Sequence, residues 1–168
     1  KKKVSRGSFA SRIPPLSSIF SGAAIDEMQS SFSTPSGILV TATSANHFQQ
    51  LHGLIRTAQN FLPAAWRIVV YDLVGDMANH ELHKLSDWCG VEYRRFDPRR
   101  LNASWNPKYL TLSVWKPLII RDCLLEFPEN QGLVLYADTS TRIHGPLSAS
   151  LIAAALSSGI VARKTASP

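Results

Sequence analysis

The residues best suited to chemistry are Asp138, Ser140 and Arg142, which directly follow the apolar run at 133–137. A carboxylate at the carboxyl end of a buried strand is well placed to bind a hard divalent cation such as Mg²⁺ or Mn²⁺. Such a cation would bridge Asp138 to a diphosphate and neutralise it as a leaving group, and Arg142 would add positive charge. A second interpretation is that Asp138 caps the following turn through an Asx interaction.

Polar side chains also follow two other apolar runs. Thr41, Thr43 and Ser44 close the run that begins at Ile38, and Asp72 follows the run at 67–71. Hydroxyl groups at the start of a helix can contact the base or ribose of a nucleotide, and ordinary helix capping by Ser44 or Asn46 is the alternative. The first turn contains neither GxGxxG nor GxxxxGK[ST], which argues against a dinucleotide-binding fold with that fingerprint and against a P-loop NTPase.

Two other charged motifs favour simpler interpretations. His80 and His83 are three residues apart, whereas the zinc-binding HExxH motif places its histidines four apart, so we interpret both as helix-surface residues. Four arginines form a local basic cluster that could face phosphates or an acidic partner, but we favour a solvated strand edge. These arginines are Arg94, Arg95, Arg99 and Arg100.

Strands alternate with helices along the chain. Hydrophobic periodicity predicts strands at 38–42, 67–71, 91–96 and 133–137, helices at 47–61, 78–88, 115–127 and 147–156, and a fifth strand that starts at 159–162. This order predicts an α/β, Rossmann-like, mostly parallel sheet built from βαβ units, with the third strand near its edge. Ligands bind such sheets outside the carboxyl ends of the strands, where strand order reverses.

Composition indicates one globular domain behind a basic tail. Of the 168 residues, 45% are hydrophobic, which is globular composition. Five of the 18 basic residues precede the first acidic residue, Asp26, and the other 13 face 12 acidic residues, so the net charge of +6 belongs mostly to the tail. We therefore predict a flexible basic Ser/Pro-rich linker at 1–36, a domain at 37–168 and no nucleic-acid partner, with a juxtamembrane or nucleic-acid-contacting arm as the alternative.

Cysteine usage, hydropathy and one sequon indicate the state of the thiols, the mode of membrane attachment and the cellular compartment. We expect Cys89 and Cys123 to be buried free thiols, because both lie in apolar, helical surroundings, and a disulfide between them is the alternative. Neither belongs to a CxxC pair, which argues against a zinc site. No run of about 18 apolar residues occurs, so we expect membrane attachment only through a segment upstream of Lys1. The Asn102-Ala103-Ser104 sequon favours the secretory pathway.

Five segments resemble a known family in their order and spacing. Together they are similar to the nucleotide-diphospho-sugar transferase superfamily with the GT-A fold, and more narrowly to a poorly characterised branch of eukaryotic glycosyltransferase-like proteins. The resemblance covers about residues 37–161. The segments are Thr-Ala-Thr-Ser-Ala-Asn-His-Phe at 41–48, Val-Tyr-Asp-Leu at 70–73, Val-Glu-Tyr-Arg-Arg-Phe-Asp at 91–97, Trp-Lys-Pro-Leu-Ile-Ile at 115–120 and Asp-Thr-Ser-Thr-Arg-Ile at 138–143.

The resemblance implies a donor site for a nucleotide sugar. It implies Thr41, Thr43 and Asp72 near the nucleoside, Lys116 near the phosphates, and Asp138 as the ligand of a divalent cation, Mn²⁺ or Mg²⁺. The chain departs from the family's Asp-x-Asp pattern, because the third position here is a serine. That departure puts metal dependence and activity in question.

The resemblance also implies a whole-protein function. We interpret the chain as the N-terminal half of a GT-A domain, a fragment without the acceptor half, so no catalytic base is assigned. The implied activity is sugar transfer from a nucleotide donor to a carbohydrate, glycoprotein or glycolipid acceptor in the Golgi or ER lumen. The alternatives are a non-catalytic binding or scaffold module of the same fold and an unrelated Rossmann-like enzyme that uses another nucleotide.

Overall fold

The structure is a computed structural model that describes residues 36–101, 113–127 and 132–159. The predicted linker and the Asn102 sequon lie outside these residues, except for Ser36, which opens the first strand. Short 3₁₀ helices lie at Ala45–His47 and Pro98–Leu101. The main elements are β1 (Ser36–Thr43), α1 (Phe48–Phe61), β2 (Arg67–Asp72), α2 (Asn79–Ser86), β3 (Val91–Arg95), α3 (Lys116–Leu124), β4 (Gly132–Tyr136) and α4 (Ala149–Ser158).

The four strands form one parallel sheet in the order β3-β2-β1-β4. β1 lies at the centre, with Ile38 opposite Arg67 on one side and Val134 on the other. The strand β3 lies at an edge, as its alternating sequence predicts, because a half-exposed strand needs apolar residues on one face only. The predicted α/β, Rossmann-like architecture is confirmed.

Both faces of the sheet are covered, which explains why β1 carries consecutive apolar residues at 38–40. Leu39 points towards the layer formed by α1 and α2, and Ile38 and Val40 point towards α3. Successive side chains of a strand alternate between the two faces of the sheet, so each strand contributes different side chains to the two cores. The cores are Leu39, Phe48, Leu51, Leu54, Ile55, Ala58, Ile68, Val70, Met77, Leu85 and Ala137 on one face, and Ile38, Val40, Ala42, Val69, Tyr71, Phe96, Trp115, Ile119 and Cys123 on the other.

Two sequence-based expectations are corrected by the structure. Gly159 was expected to start a fifth strand, but it ends α4 with a φ of 77°, a left-handed conformation that glycine adopts without steric cost. Residues 160–162 lie outside the described part of the chain. Cys89 is an exposed free thiol, and only Cys123 is buried, where burial raises the pKa of its thiol to about 11.

Close packing at the start of β1 gives a test of this arrangement. A Cβ atom at Gly37 would lie 2.2 Å from the Trp66 indole, which is itself buried. We expect Gly37→Ala to lower the free energy of unfolding by about 1–3 kcal/mol, because the indole and strand must move apart. The measurement is urea denaturation followed by tryptophan fluorescence.

Gly145→Ala is the matched control, because nothing lies within 4 Å of a Cβ atom at Gly145. It should leave stability unchanged or raise it by up to about 1 kcal/mol through the unfolded state. Equal stability of the two variants would contradict the described packing of β1 against Trp66.

Candidate functional site

The strand order makes the carboxyl ends of β1 and β4 the expected position of a ligand-binding crevice. From β1 the chain moves outwards through β2 to β3, and it then returns to the opposite side of β1 as β4. Strand order therefore reverses between β1 and β4, where ligands bind in open parallel sheets. Asp138 lies two residues beyond the end of β4 and so emerges at this point.

Asp138 is held by two side chains that converge on one carboxylate oxygen. The Lys116 ammonium donates to Asp138 Oδ1 over 2.9 Å, and the Tyr136 hydroxyl donates to the same oxygen over 2.5 Å. Tyr136 and Asp138 are two residues apart in extended chain, so their side chains point to the same face of the sheet. The sequence analysis did not include Tyr136, although this spacing is a usable signal for it.

Lys116 is fixed by aromatic rings as well as by Asp138. It opens α3 next to the buried Trp115, and its nitrogen lies 5.6 Å from the Trp115 ring and 4.9 Å from the centroid of the Tyr136 ring. Such cation–π contacts stabilise an ammonium group at a fixed position. We call Trp115, Lys116, Tyr136 and Asp138 the crevice cluster.

The crevice cluster is charged and open to solvent on one side. The Asp138 side chain is 58% exposed, whereas that of Lys116 is 29% exposed. Burial opposes ionisation of Asp138, but the Tyr136 hydroxyl and the Lys116 ammonium outweigh it and hold the pKa of the carboxyl below its usual value. Burial, together with the bond to Asp138, raises the pKa of Tyr136, so its hydroxyl keeps its proton.

The segment after Asp138 forms a turn that crosses the sheet edge. The Asp138 carbonyl accepts from the Thr141 amide over 2.8 Å, so the backbone closes this turn and the side chain does not cap it. The predicted alternative of an Asx interaction is therefore wrong. Ser140 is exposed at the turn. Thr139 is buried against α1, where its hydroxyl donates to the side-chain oxygen of Gln50 over 3.4 Å.

Arg142 locks this turn to α1. Its guanidinium donates to the carbonyls of Thr139, over 3.0 Å, and Thr141, over 2.7 Å. It lies in the space that Gly53 leaves open on α1, since a Cβ atom there would be 2.3 Å from the guanidinium. The structure therefore gives Arg142 a positioning contact, and Gly53 was not found by the sequence analysis.

Three predicted site residues lie on the other face of the sheet. Thr41 and Thr43 share the side of β1 that carries Leu39, towards α1, whereas the crevice cluster lies on the α3 side. Thr41 is fully buried, and its hydroxyl oxygen has no hydrogen-bond partner among the described residues. Thr43, nearer the end of β1, donates to the Ser44 carbonyl over 3.1 Å.

Asp72, the third of these residues, organises the loop after β2. It is 1% exposed, and one carboxylate oxygen accepts from the amides of Gly75, over 2.7 Å, and Val74, over 3.1 Å. The other oxygen accepts from the Tyr93 hydroxyl over 3.0 Å, which together with burial raises the pKa of Tyr93 to about 12. Asp72 thus shapes the rim of the crevice through the backbone.

Ser44 stands at the rim beside a helix start. Its hydroxyl donates to the side-chain oxygen of Asn46 over 2.6 Å and does not cap the 3₁₀ helix. The Ala45 amide donates instead to Asp76 over 2.9 Å, so a carboxylate from the neighbouring loop occupies this helix start. The helix cap that was predicted at Ser44 is therefore supplied by Asp76, 31 residues along the chain from the Ala45 amide that it caps.

Three of the four arginines in the basic cluster form ion pairs, so the cluster is more than the solvated strand edge that we favoured. Arg94, 23% exposed, pairs with Glu92 and Glu126, and Arg100 binds both oxygens of Asp122. These pairs connect β3 and the following 3₁₀ helix to α3 and the residues just after it, and Arg99 pairs with Asp97. His80 and His83 are exposed on α2, as expected.

A divalent cation at Asp138 finds a poor set of ligands among the described residues. Asp138 supplies one carboxylate, and one of its two oxygens already accepts hydrogen bonds from both the Tyr136 hydroxyl and the Lys116 ammonium. Hard cations are usually bound by several oxygen ligands, and a serine, Ser140, takes the place of a second carboxylate. Within the described ranges, no group of three or more His, Cys, Asp or Glu side chains is arranged to hold a metal ion.

Two cavities lie away from the crevice cluster. One of about 260 Å³ separates α1 from α2 and is lined by residues that include His52, Lys84 and Trp88. The other, of about 380 Å³, lies at the opposite end of the sheet beside Trp66 and Cys89. Neither contains a residue predicted to bind the donor, and we favour the crevice because its charged side chains converge.

No family model matches this chain, and no curated protein matches it. The resemblance to nucleotide-sugar transferases therefore stays a prediction that depends on the motifs themselves. Within residues 36–101, 113–127 and 132–159, no helix is long and apolar enough to cross a membrane.

The pKa of Asp138 tests the geometry of the crevice cluster. We expect Lys116→Met to raise this pKa, because the desolvation remains while an opposite charge is lost. The same reasoning means that the pair stabilises the fold at neutral pH, and that this contribution disappears as the pH falls through the lowered pKa. Carboxyl ¹³C NMR titration measures the pKa of Asp138 in wild type and in Lys116→Met, and an equal pKa in the two proteins would contradict the contact.

Proposed function

We propose that this chain binds the nucleoside diphosphate of a sugar donor in the crevice between β1 and β4, as the donor half of a GT-A-type glycosyltransferase. The observation that carries the proposal is the crevice cluster at the strand-order reversal. It combines an ammonium group suited to phosphate oxygens with a carboxylate and a tyrosine hydroxyl suited to sugar hydroxyls. The ordered motifs at 41–48, 70–73, 91–97, 115–120 and 138–143 support the same proposal.

The chemistry of such a donor explains why positive charge is needed there. When an acceptor hydroxyl attacks the anomeric carbon, the bond from that carbon to the diphosphate oxygen breaks and the nucleoside diphosphate leaves with the electron pair. A preorganised cation beside the diphosphate stabilises that developing charge. Lys116 supplies it, and Asp138 and Arg142 hold the local geometry, through the ion pair and the turn respectively.

The nucleoside would lie along the rim formed by the loops after β1 and β2. Ser44 is a partly exposed polar residue there, and the neighbouring Thr43 is buried. Asp72 acts indirectly in this proposal, since its carboxylate fixes the Val74–Gly75 backbone. The acceptor, and a location in the Golgi or ER lumen, are implied by the family resemblance alone.

Calorimetric titration with UDP, GDP and CDP, in a buffer that contains Mn²⁺, tests the proposal. We expect one of the three to bind and NAD to bind no better than background. Lys116→Met should weaken binding at least about tenfold, because charge-assisted hydrogen bonds to phosphate are lost. Lys84→Met is the matched control, since Lys84 is an exposed lysine on α2, remote from the crevice cluster.

The outcomes separate the proposal from its rivals. Preference for NAD would indicate a different Rossmann-like enzyme, and failure of all three diphosphates to bind would refute the donor site. If a diphosphate binds, hydrolysis of the corresponding nucleotide sugar distinguishes a transferase site from a module that only binds.

A further inference from the structure

We propose that Lys116, in place of a divalent cation, supplies the positive charge that binds the donor diphosphate, and that Asp138 holds the Lys116 ammonium in position. The inference rests on the proposed function, because it concerns the same site. It departs from the expectation of Mg²⁺ or Mn²⁺ at Asp138.

The first argument is competition for one oxygen atom. Lys116 Nζ lies 2.9 Å from Asp138 Oδ1, which also accepts from the Tyr136 hydroxyl. A divalent cation binds a carboxylate oxygen at about 2.1 Å, so on this oxygen it would lie within about 5 Å of the ammonium. Like charges at that separation repel, so the ammonium disfavours a metal on this oxygen.

The second argument is that Lys116 is not easily displaced. Its nitrogen lies 4.9 Å from the Tyr136 ring centroid and 5.6 Å from that of Trp115, in addition to its bond with Asp138. An incoming metal would have to break all three interactions. The group best prepared to meet a diphosphate is therefore the ammonium itself.

The third argument concerns the other positive groups at the start of α3. The Lys116 amide donates to Ser113 and the Leu118 amide to Trp115, while Pro117 has no amide hydrogen. The backbone of this helix start therefore offers little to an anion. The ammonium has three N–H donors, of which Asp138 uses one, so two remain for phosphate oxygens.

The two mechanisms differ in the effect of Mn²⁺ on Asp138→Asn. If a metal bridged Asp138 to the diphosphate, Mn²⁺ would strengthen binding by wild type, and Asp138→Asn would remove that gain. If Lys116 binds the diphosphate, Asp138→Asn keeps a hydrogen-bond acceptor for the ammonium. The affinity of each variant for the diphosphate is then the same with EDTA as with Mn²⁺.

The experiment titrates wild type, Lys116→Met, Asp138→Asn and the control Lys84→Met with inorganic pyrophosphate and with UDP, GDP and CDP. Each titration is run with EDTA and with Mn²⁺. We expect wild-type affinities in the two buffers to agree within about threefold, and Lys116→Met to lose at least about tenfold in both. The affinities of Asp138→Asn with EDTA and with Mn²⁺ should also agree within about threefold. Binding that requires Mn²⁺ and disappears in Asp138→Asn would overturn the inference.

A second measurement tests the metal independently of the nucleotide. Mn²⁺ titration followed by electron paramagnetic resonance needs no donor, so it keeps its meaning even if no diphosphate binds and the proposed function fails. We expect wild type to bind Mn²⁺ no more tightly than Asp138→Asn. Binding by wild type at least about tenfold tighter than by the variant would show a metal on Asp138 and overturn the inference.

Discussion

The central strand β1 is bonded on both edges and covered on both faces, and the other elements are arranged around it. It pairs with β2 on one side and with β4 on the other, and its side chains from Ile38 to Thr43 are buried. A strand in this position buries side chains on both faces, which explains the consecutive apolar residues at 38–40. Because the chain leaves β1 in one direction and returns on the other side, the crevice forms where β1 and β4 end.

Charge within that crevice is arranged by the fold before any ligand arrives. Lys116 comes from the start of α3, whereas Tyr136 and Asp138 come from the end of β4. The helix α3 packs on the sheet face to which the Tyr136 side chain points. Arg142 donates to the Thr139 carbonyl within the turn that follows, and it packs against α1 where Gly53 has no side chain. Preorganised charge of this kind is what electrostatic stabilisation of a leaving group requires.

Much of the fold, and less of the site, can be predicted from the sequence. Apolar runs locate the strands, and the alternation over 91–95 places β3 at an edge, because these patterns report burial directly. The contact between Lys116 and Asp138 spans 22 residues and depends on which face each element presents, which local patterns do not encode. The same holds for Asp76, which caps a helix start 31 residues away. It also holds for Asp72, which lies where a ligand would be expected but accepts hydrogen bonds from the backbone amides of its own loop.

The central claim is that a nucleoside diphosphate binds at the crevice cluster, and amide chemical-shift mapping tests it most directly. Spectra of ¹⁵N-labelled protein would be recorded as UDP, GDP or CDP is added. The account predicts that the shifted amides concentrate at Lys116, at 136–141 and at Thr43 and Ser44, on the crevice at the carboxyl ends of β1 and β4. Shifts centred on Trp88 and Cys89, beside the two cavities, would contradict it and would place the ligand elsewhere on the fold.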